Sequence, residues 1–577
     1  MSLVKDRLHI LPPGGVSLRG RLGNALRKSV ENRLKSVNYD HLVAPFRERN
    51  ERDGRWRCEF WGKIVRSAIR SWRAVPDPEL DRRIRETVRS LCATQTPDGC
   101  ISSYPAELQT QDWDIWGRKY ALLGLCRYYR EMEQSEEVRH AVSGCLSHLM
   151  TQVGPGAKRI VDCGHHTGLA ASSILGAVVA AARVTGEERF LDYAKWIASQ
   201  GGSTAGNIFE LARRGTPPAE LGNGKAYEMT SCFEGLLELY RETGDPEQLD
   251  AVVKYFRAVR DRELFITGAG GLKDMWGEFW YEGRRNQTRN DAGSLGETCV
   301  TTTCIRFFGQ ILRLTGDLSA ADEMERALYN GILGAMVPDG GWWLHANPTP
   351  LAGESFKKRA GDQIPGYGED CCVAQGPEAL ATAACYAVMR DDEGPAVLFY
   401  EPCEARIPLA DGCDVKLSIN GNYPDGAGAT VTVSPAAPKR FRLKLRVPAW
   451  SSHTRITVAG ETLPARPGTF AEIDRLWSPG DRVELEFDLR FRAVPAPDGS
   501  ALLAAMCGPV LFARDSRLGA LNAPVSPEDI ENARELAAEP EFARICRLPD
   551  GTRLCDYASA GNCFTPENLL RVWLPKR

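Results

Sequence analysis

The sequence predicts an α+β multidomain chain: an (α/α)6 toroid followed by an antiparallel β-sandwich. Three observations carry that reading. Apolar residues recur at helical spacing from about Leu22 to Met389, one phrase repeats inside that stretch, and after Met389 the period falls to two. The implied boundaries are 1–390 for the toroid, 391–495 for the sandwich, and 496–577 for C-terminal strands with a short helix that complete or extend it.

The helical half is seen in stretches such as Glu136 to His148, where apolar residues fall at i, i+3, i+4 and i+7. The repeated phrase is an apolar helix ending in Thr-Gly, then an acidic residue, then a second helix. It reads RVTGEERFLDYAKWI from Arg183, RETGDPEQLDAVVKYF from Arg241 and RLTGDLSAADEMERAL from Arg313. Gly186, Gly244 and Gly316 stand where a helix wants a left-handed residue just past its end. The acidic residue after each suits the next helix N-terminus. Thr185, Thr243 and Thr315 are 58 and 72 residues apart, room for two helices with loops, so the unit is an αα-hairpin. About six such hairpins fit the stretch, which favours a closed ring over an open solenoid.

The second half alternates. VKLSI, ATVTVS, RFRLKLRVPAW, RITVAG and DRVELEFDLRFR are separated by Pro, Gly and Asp, the pattern of an antiparallel sandwich. Further strands are expected around Leu502 to Phe512 and Leu570 to Leu574, with a helix near Pro527 to Ala537.

Composition bounds the function. At 577 residues the chain exceeds one ordinary core. A net charge of −3 offers no electrostatic case for nucleic acid or an anionic membrane. Apolar runs such as Ala177 to Ala182 are too short to cross a bilayer, and the start MSLVKDRLHILPPGG lacks a secretory pattern, so a cytoplasmic protein is expected. The 18 cysteines are scattered singly rather than spaced as a disulfide framework, and most are expected to be small buried apolar residues.

Two cysteine motifs depart from that scatter. Gly296-Glu297-Thr298-Cys299 opens an apolar helix, and Asp370-Cys371-Cys372 precedes the helical PEALATAACYAV. Thiolates with a carboxylate suit zinc. Spacing alone leaves two other readings open: a vicinal disulfide, or two unrelated buried thiols.

The motifs run in an order that resembles the β-L-arabinofuranosidases of glycoside hydrolase family 127. The resemblance rests on TPDGCISSYP at Thr96, WGEFWYEG at Trp276, GETC at Gly296, RALYNGILGAMVPDGGWWLHANP at Arg326 and CCVAQGPEALA at Cys371. It continues through NYPDGAGATVTV at Asn422, FRLKLRVPAWS at Phe441, RLWSPGDRVEL at Arg475, CGPVLFARD at Cys507 and RVWLP at Arg571. It implies a Zn2+ site formed by Glu297, Cys299, Cys371 and Cys372, with Cys371 as nucleophile and Glu278 as general acid/base. It also implies a carbohydrate substrate and a retaining exo-hydrolase; a homodimer is left open.

Such chemistry is physically coherent. A retaining glycosidase ordinarily sets two carboxylates about 5 Å apart. A thiol can replace one only if ionised, and a bound cation removes its proton. Glu278 is flanked by Trp276, Phe279, Trp280 and Tyr281, and such an apolar wall is expected to raise its carboxyl pKa.

The pocket departs from the family pattern. Relatives carry histidines at the starts of inner helices, where this chain has Tyr120 and Ala171. His165 and His166 in CGHHTG are expected to substitute from a loop. Tyr227 and Glu228 in GKAYEMTS, Trp276, and Asp114, Trp116 and Lys119 in DWDIWGRKY are further pocket candidates. Two other functions compete: a toroid using two carboxylates such as Asp114 and Glu278 with structural zinc, and a non-catalytic sugar-binding protein.

Overall fold

The computed structural model describes residues 3–272, 278–289, 295–348, 367–563 and 568–577. After α1 (Arg21–Ser29) and α2 (Tyr39–Glu48), five helical hairpins follow among those residues. They are α3 (Cys58–Ala74) with α4 (Pro78–Cys92), α5 (Asp114–Glu131) with α6 (Glu136–Gln152), and α7 (Leu175–Thr185) with α8 (Glu188–Ser199). Then come α9 (Ala226–Thr243) with α10 (Pro246–Ala258), and α11 (Thr298–Thr315) with α12 (Leu318–Ala327). The odd-numbered members, α3 to α11, form an inner wall in which each packs on the next, and α13 (Cys371–Ala387) closes the ring by packing on both α11 and α3. The partner of α13 is α1, so the sixth hairpin joins helices from opposite ends of the helical region. That pair has no short connecting loop, which is why the repeated phrase does not mark it. The apolar segment His166–Thr185 is mostly buried in the wall.

The Thr-Gly-acid phrase works as a cap. Gly186, Gly244 and Gly316 have φ of 73°, 69° and 74°, the left-handed conformation a side chain disfavours. The threonine before each donates its hydroxyl to the carbonyl four residues back, and accepts the amide two residues on. Asp245 and Asp317 then cap α10 and α12. One hydroxyl thus serves the end of one helix and the turn into the next.

The sandwich has sheets of five and seven strands. Alternate burial along Gly428–Pro435, with Ala429, Val431 and Val433 inward, is the period of two made structural. Two strands come from ahead of the toroid: His9–Ile10 pairs with Val388–Arg390 in one sheet, and Val16–Leu18 with Cys403–Pro408 in the other. Reading the whole N-terminal segment as toroid missed this, because two- and three-residue strands carry no readable alternation. The C-terminal segment forms a separate eight-stranded sheet with its own small core around Leu511, Tyr557 and Trp573. The helix expected over Pro527 to Ala537 ends at Glu531; Arg534–Leu536 is instead a strand paired with Ile545–Arg547.

A buried ion pair joins sandwich to ring. Arg446, fully buried on the strand Lys439–Val447, reaches Glu325 at 2.7 Å and Asp322 at 2.8 Å, both on α12. Tyr423 donates to the same Glu325 at 2.5 Å and Trp450 at 3.2 Å. Of the 18 cysteines, 16 are buried, Cys413 is exposed and Cys563 half-buried, and none forms a disulfide.

Candidate active site

The inner helices share one direction, so their N-termini meet at one mouth of the ring. Two caps decide what stands there. α11 starts at Thr298 because Glu297 Oε2 accepts the Val300 amide at 3.0 Å. α13 starts at Cys371 because Asp370 Oδ1 accepts the Cys372 amide at 2.7 Å. Glu297, Cys299, Cys371 and Cys372 therefore sit at two adjacent helix starts.

A three-stranded sheet, Gly271–Leu272, Leu295–Glu297 and Ala346–Pro348, lies over these starts. It delivers His345, whose carbonyl accepts the Thr298 amide at 3.1 Å. Cys372 Sγ is 3.8 Å from Cys371 Sγ, 3.4 Å from Glu297 Oε1 and 3.5 Å from His345 Nδ1. Glu297, His345, Cys371 and Cys372, all buried, keep their donor atoms within 4.8 Å of one another. Cys299, the expected fourth ligand, stands outside that set. It lies one residue inside α11; burial raises its thiol, but Cys371 and Cys372 close by bring it below the usual range.

This donor set fits a metal ion. Burial pushes the Cys371 and Cys372 thiols far above their ordinary range, and Cys299 raises them further. Burial likewise drives the Glu297 carboxyl well up, reinforced by the charges of Glu278 and Cys371. His345 is held up at about 10: burial opposes the charge, but Asp370, 3.6 Å away, and Cys371 outweigh it. Ionising this many acidic donors in a dry site is costly unless a cation takes the place of their protons.

Beside this cluster lies a second one. The segment carrying Glu278 pairs with the entry to α9: the Ala226 amide donates to the Glu278 carbonyl at 2.7 Å, and the Trp280 amide to the Gly224 carbonyl at 2.9 Å. That pairing sets Glu278 Oε2 3.0 Å from Lys225 Nζ, which lies 3.9 Å from Glu228. The expected elevation of Glu278 by its aromatic neighbours is overturned. Burial does push the carboxyl up, but Lys225 foremost, with His345, lowers it to about 2. Glu228 is the proton-holding member, raised to about 7 by burial against the pull of Lys225 and with the push of Glu278. Among the described residues its Oε2 is buried without a hydrogen-bond partner.

Loop histidines face this cluster. His166 Nε2 is 4.0 Å from Glu228 Oε1, and its ring meets Phe279 edge-on. Burial and then Lys225 lower its pKa to about 3, leaving a neutral imidazole. His166 and Thr167 have φ of 58° and 55°, strain of the sort found at functional turns. His165 is more exposed, 3.4 Å from Asp112 and packed on Trp113.

Other sequence candidates fall elsewhere. Tyr120 and Tyr227 hydrogen-bond to each other, fully buried around Lys63 and Trp116, with Cys299 near enough to act on Tyr227. Lys119 lies over the Trp116 ring and donates to Ser173 at 3.1 Å; burial drops its pKa to about 7. Asp114 is buried and ion-paired to Arg118 at 2.9 Å while accepting the Thr110 amide, which removes it as a second catalytic carboxylate. Trp276 lies outside the described residues. Sequence reasoning passed over His345, Lys225 and Trp113. Each stands inside a quoted motif, but only the folded ring shows that Lys225 has two carboxylates in reach.

The model of the GH127 β-L-arabinofuranosidase catalytic domain matches residues 21–384, and that of the GH127 middle domain residues 396–489. The non-reducing end β-L-arabinofuranosidase of Bifidobacterium longum subsp. longum is 24% identical over 495 residues, 76% of this chain and 72% of the relative. Among solved structures, the GH127 β-L-arabinofuranosidase of Geobacillus stearothermophilus aligns with TM-score 0.74 at 20% identity, over 97% of this chain and 100% of that one. The GH127 β-arabinofuranosidase BT3674 aligns with TM-score 0.80 at 17% identity, over 99% and 98%. Both share the fold.

Proposed function

The chain belongs to glycoside hydrolase family 127, and from that premise we propose a retaining exo-hydrolase that releases a terminal β-L-arabinofuranosyl or closely related sugar, with Cys371 as nucleophile and Glu278 as acid/base. The sugar is taken from what the relatives are named for. The observation that carries the mechanism is the juxtaposition of a buried thiol–carboxylate cluster with the Lys225-bound Glu278 at one mouth of the toroid. Asp114 being committed to Arg118 speaks against a two-carboxylate enzyme.

Glu297, Cys299, Cys371 and Cys372 would hold a zinc ion, which when bound keeps its thiols deprotonated at neutral pH. A second ligand set, with His345 in place of Cys299, is favoured by the 4.8 Å grouping. The Cys371 thiolate attacks the anomeric carbon as the glycosidic C–O bond breaks, and Glu278 gives its proton to the leaving oxygen. Glu278 reaches its acid form by drawing on the proton that Glu228 holds, with Lys225 between them. Water, giving a proton back to Glu278, then displaces the thiolate, and the two inversions sum to retention. The neutral His166 and the rings of Trp113 and Phe279 suit sugar hydroxyls and faces.

The test is intact-protein mass spectrometry on Glu278→Gln supplied with an aryl β-L-arabinofuranoside of very good leaving group. Glycosylation needs little protonation there, but hydrolysis lacks its base, so one pentosyl unit should accumulate on the Cys371 peptide. Cys371→Ser should show neither adduct nor turnover. An adduct on an aspartate or glutamate, or a product of inverted configuration, refutes the mechanism.

A further inference from the structure

The inner helices send their C-termini to the opposite mouth, where a cavity of about 650 Å3 opens. Ten cationic side chains line it against four carboxylates, Asp6, Glu131, Glu234 and Glu238. Most of the cations are paired. Arg241 and Arg313 share Asp6, and Arg183 bridges Glu238 and Glu242. Arg306 reaches Glu234 and Glu378, Arg127 and Arg66 also take Glu378, and Arg73 and Arg130 both lie against Glu131. Glu242 and Glu378 stand behind the lining; counting them too, four positive charges remain in excess.

Arg70 breaks the pattern. It lines this cavity at 8% exposure. Among the described residues it makes no hydrogen bond and no ion pair, and its Nε and Nη1 are buried without partners. Glu131 and Glu378 act on it only at longer range. Arg66, one turn earlier on α3, has its Nη2 3.6 Å from Glu378 but a buried Nε with no hydrogen-bond partner among the described residues. A purely structural account would have the arginines neutralise six helix C-termini, about half a negative charge each. A guanidinium serving that end would donate to a terminal carbonyl, and Arg70 donates to none. Burying a guanidinium with its donors unmet costs stability, and the described protein groups around Arg70 do not meet them.

We propose that this cavity binds a small, multiply charged oxyanion of the phosphate class, anchored by Arg70 and Arg66 with Arg73 and Arg130 around it. The planar guanidinium fork matches two oxygens of one such group, and the volume suits a ligand of metabolite size. The site is separate from the sugar site, at the other end of the same six helices.

The test is calorimetric titration of the zinc-loaded protein with inorganic phosphate at fixed ionic strength, for wild type, Arg70→Met and Arg130→Gln. Saturable binding to wild type is expected, at least tenfold weaker in Arg70→Met and several-fold weaker in Arg130→Gln. Without phosphate, Arg70→Met should melt at or above the wild-type temperature, because it removes an unpaired buried charge and keeps its stem. No binding to wild type, binding unchanged in Arg70→Met, or an Arg70→Met protein that melts lower or fails to fold would each overturn the proposal. The last two are what a structural arginine gives.

Discussion

Replacing Lys225 by methionine tests how the acid/base obtains its proton. The stem is retained while the charge 3.0 Å from Glu278 is lost. At an effective dielectric constant near 20, that pair interacts by about 5 kcal/mol. The side chains are only 9% and 15% exposed, so screening is slight, although water entering the vacated space and the remaining cations Lys63 and His345 offset about half. About 2–3 kcal/mol then remains, or roughly 2 pH units. The sign follows from the role. Glu278 must carry a proton to act, so activity persists below its pKa and fails above it; removing the cation raises that pKa. The alkaline limb of kcat/KM for 4-nitrophenyl β-L-arabinofuranoside should move up by roughly 2 units. Glu228, which Lys225 also lowers, moves the same way and reinforces the shift. A limb left in place, in folded protein with full metal content, would show that Lys225 does not govern this proton.

Three further outcomes are expected. Cys299→Ser should lose most bound zinc while His345→Ala keeps it, measured by elemental analysis; the reverse result assigns the fourth ligand to His345. Glu228, raised from 4.5 to about 7 in the fold, contributes stability fully present below its unfolded pKa and lost as pH rises through 7. Melting temperature should therefore fall across pH 5–8 in wild type, and Glu228→Gln should flatten that slope. Arg446→Ala strands Glu325 in the domain interface and should cost about 3–5 kcal/mol, read by denaturation, whereas Arg442→Ala on the exposed face of the same strand should cost under about 1 kcal/mol.

Much of this molecule could be read from its residues. Hairpin caps at Gly186, Gly244 and Gly316 follow from local chemistry, as does the alternation along Gly428–Pro435. The joining of α1 to α13 could not be read, because pairing across the whole ring leaves no short-range trace. The same limit applies at the site. Motif order led to Glu297 and the cysteine pair, but the environment of Glu278 was misjudged from its aromatic neighbours in sequence. Its carboxyl answers to Lys225, more than fifty positions away. Tyr120 was singled out by register with the relatives' histidines and Tyr227 by its motif, and neither reason could show that the two hydroxyls meet each other in the buried interior.

Closure by α1 and α13 bears on how the protein is made. A chain emerging from a ribosome carries α1 and the strands His9–Ile10 and Val16–Leu18 for hundreds of residues before their partners exist. The wall from α3 to α11 can assemble as it emerges, but it stays an open arc until α13 arrives. Cys371 and Cys372 are the first residues of that last helix, and Glu297 caps α11, the inner helix it packs against. A metal ion bridging them would act as a clasp, captured only in the final step of ring assembly. Zinc starvation during synthesis should then yield arcs that chaperones and proteases recognise, whereas chelation after folding acts on a ring already shut.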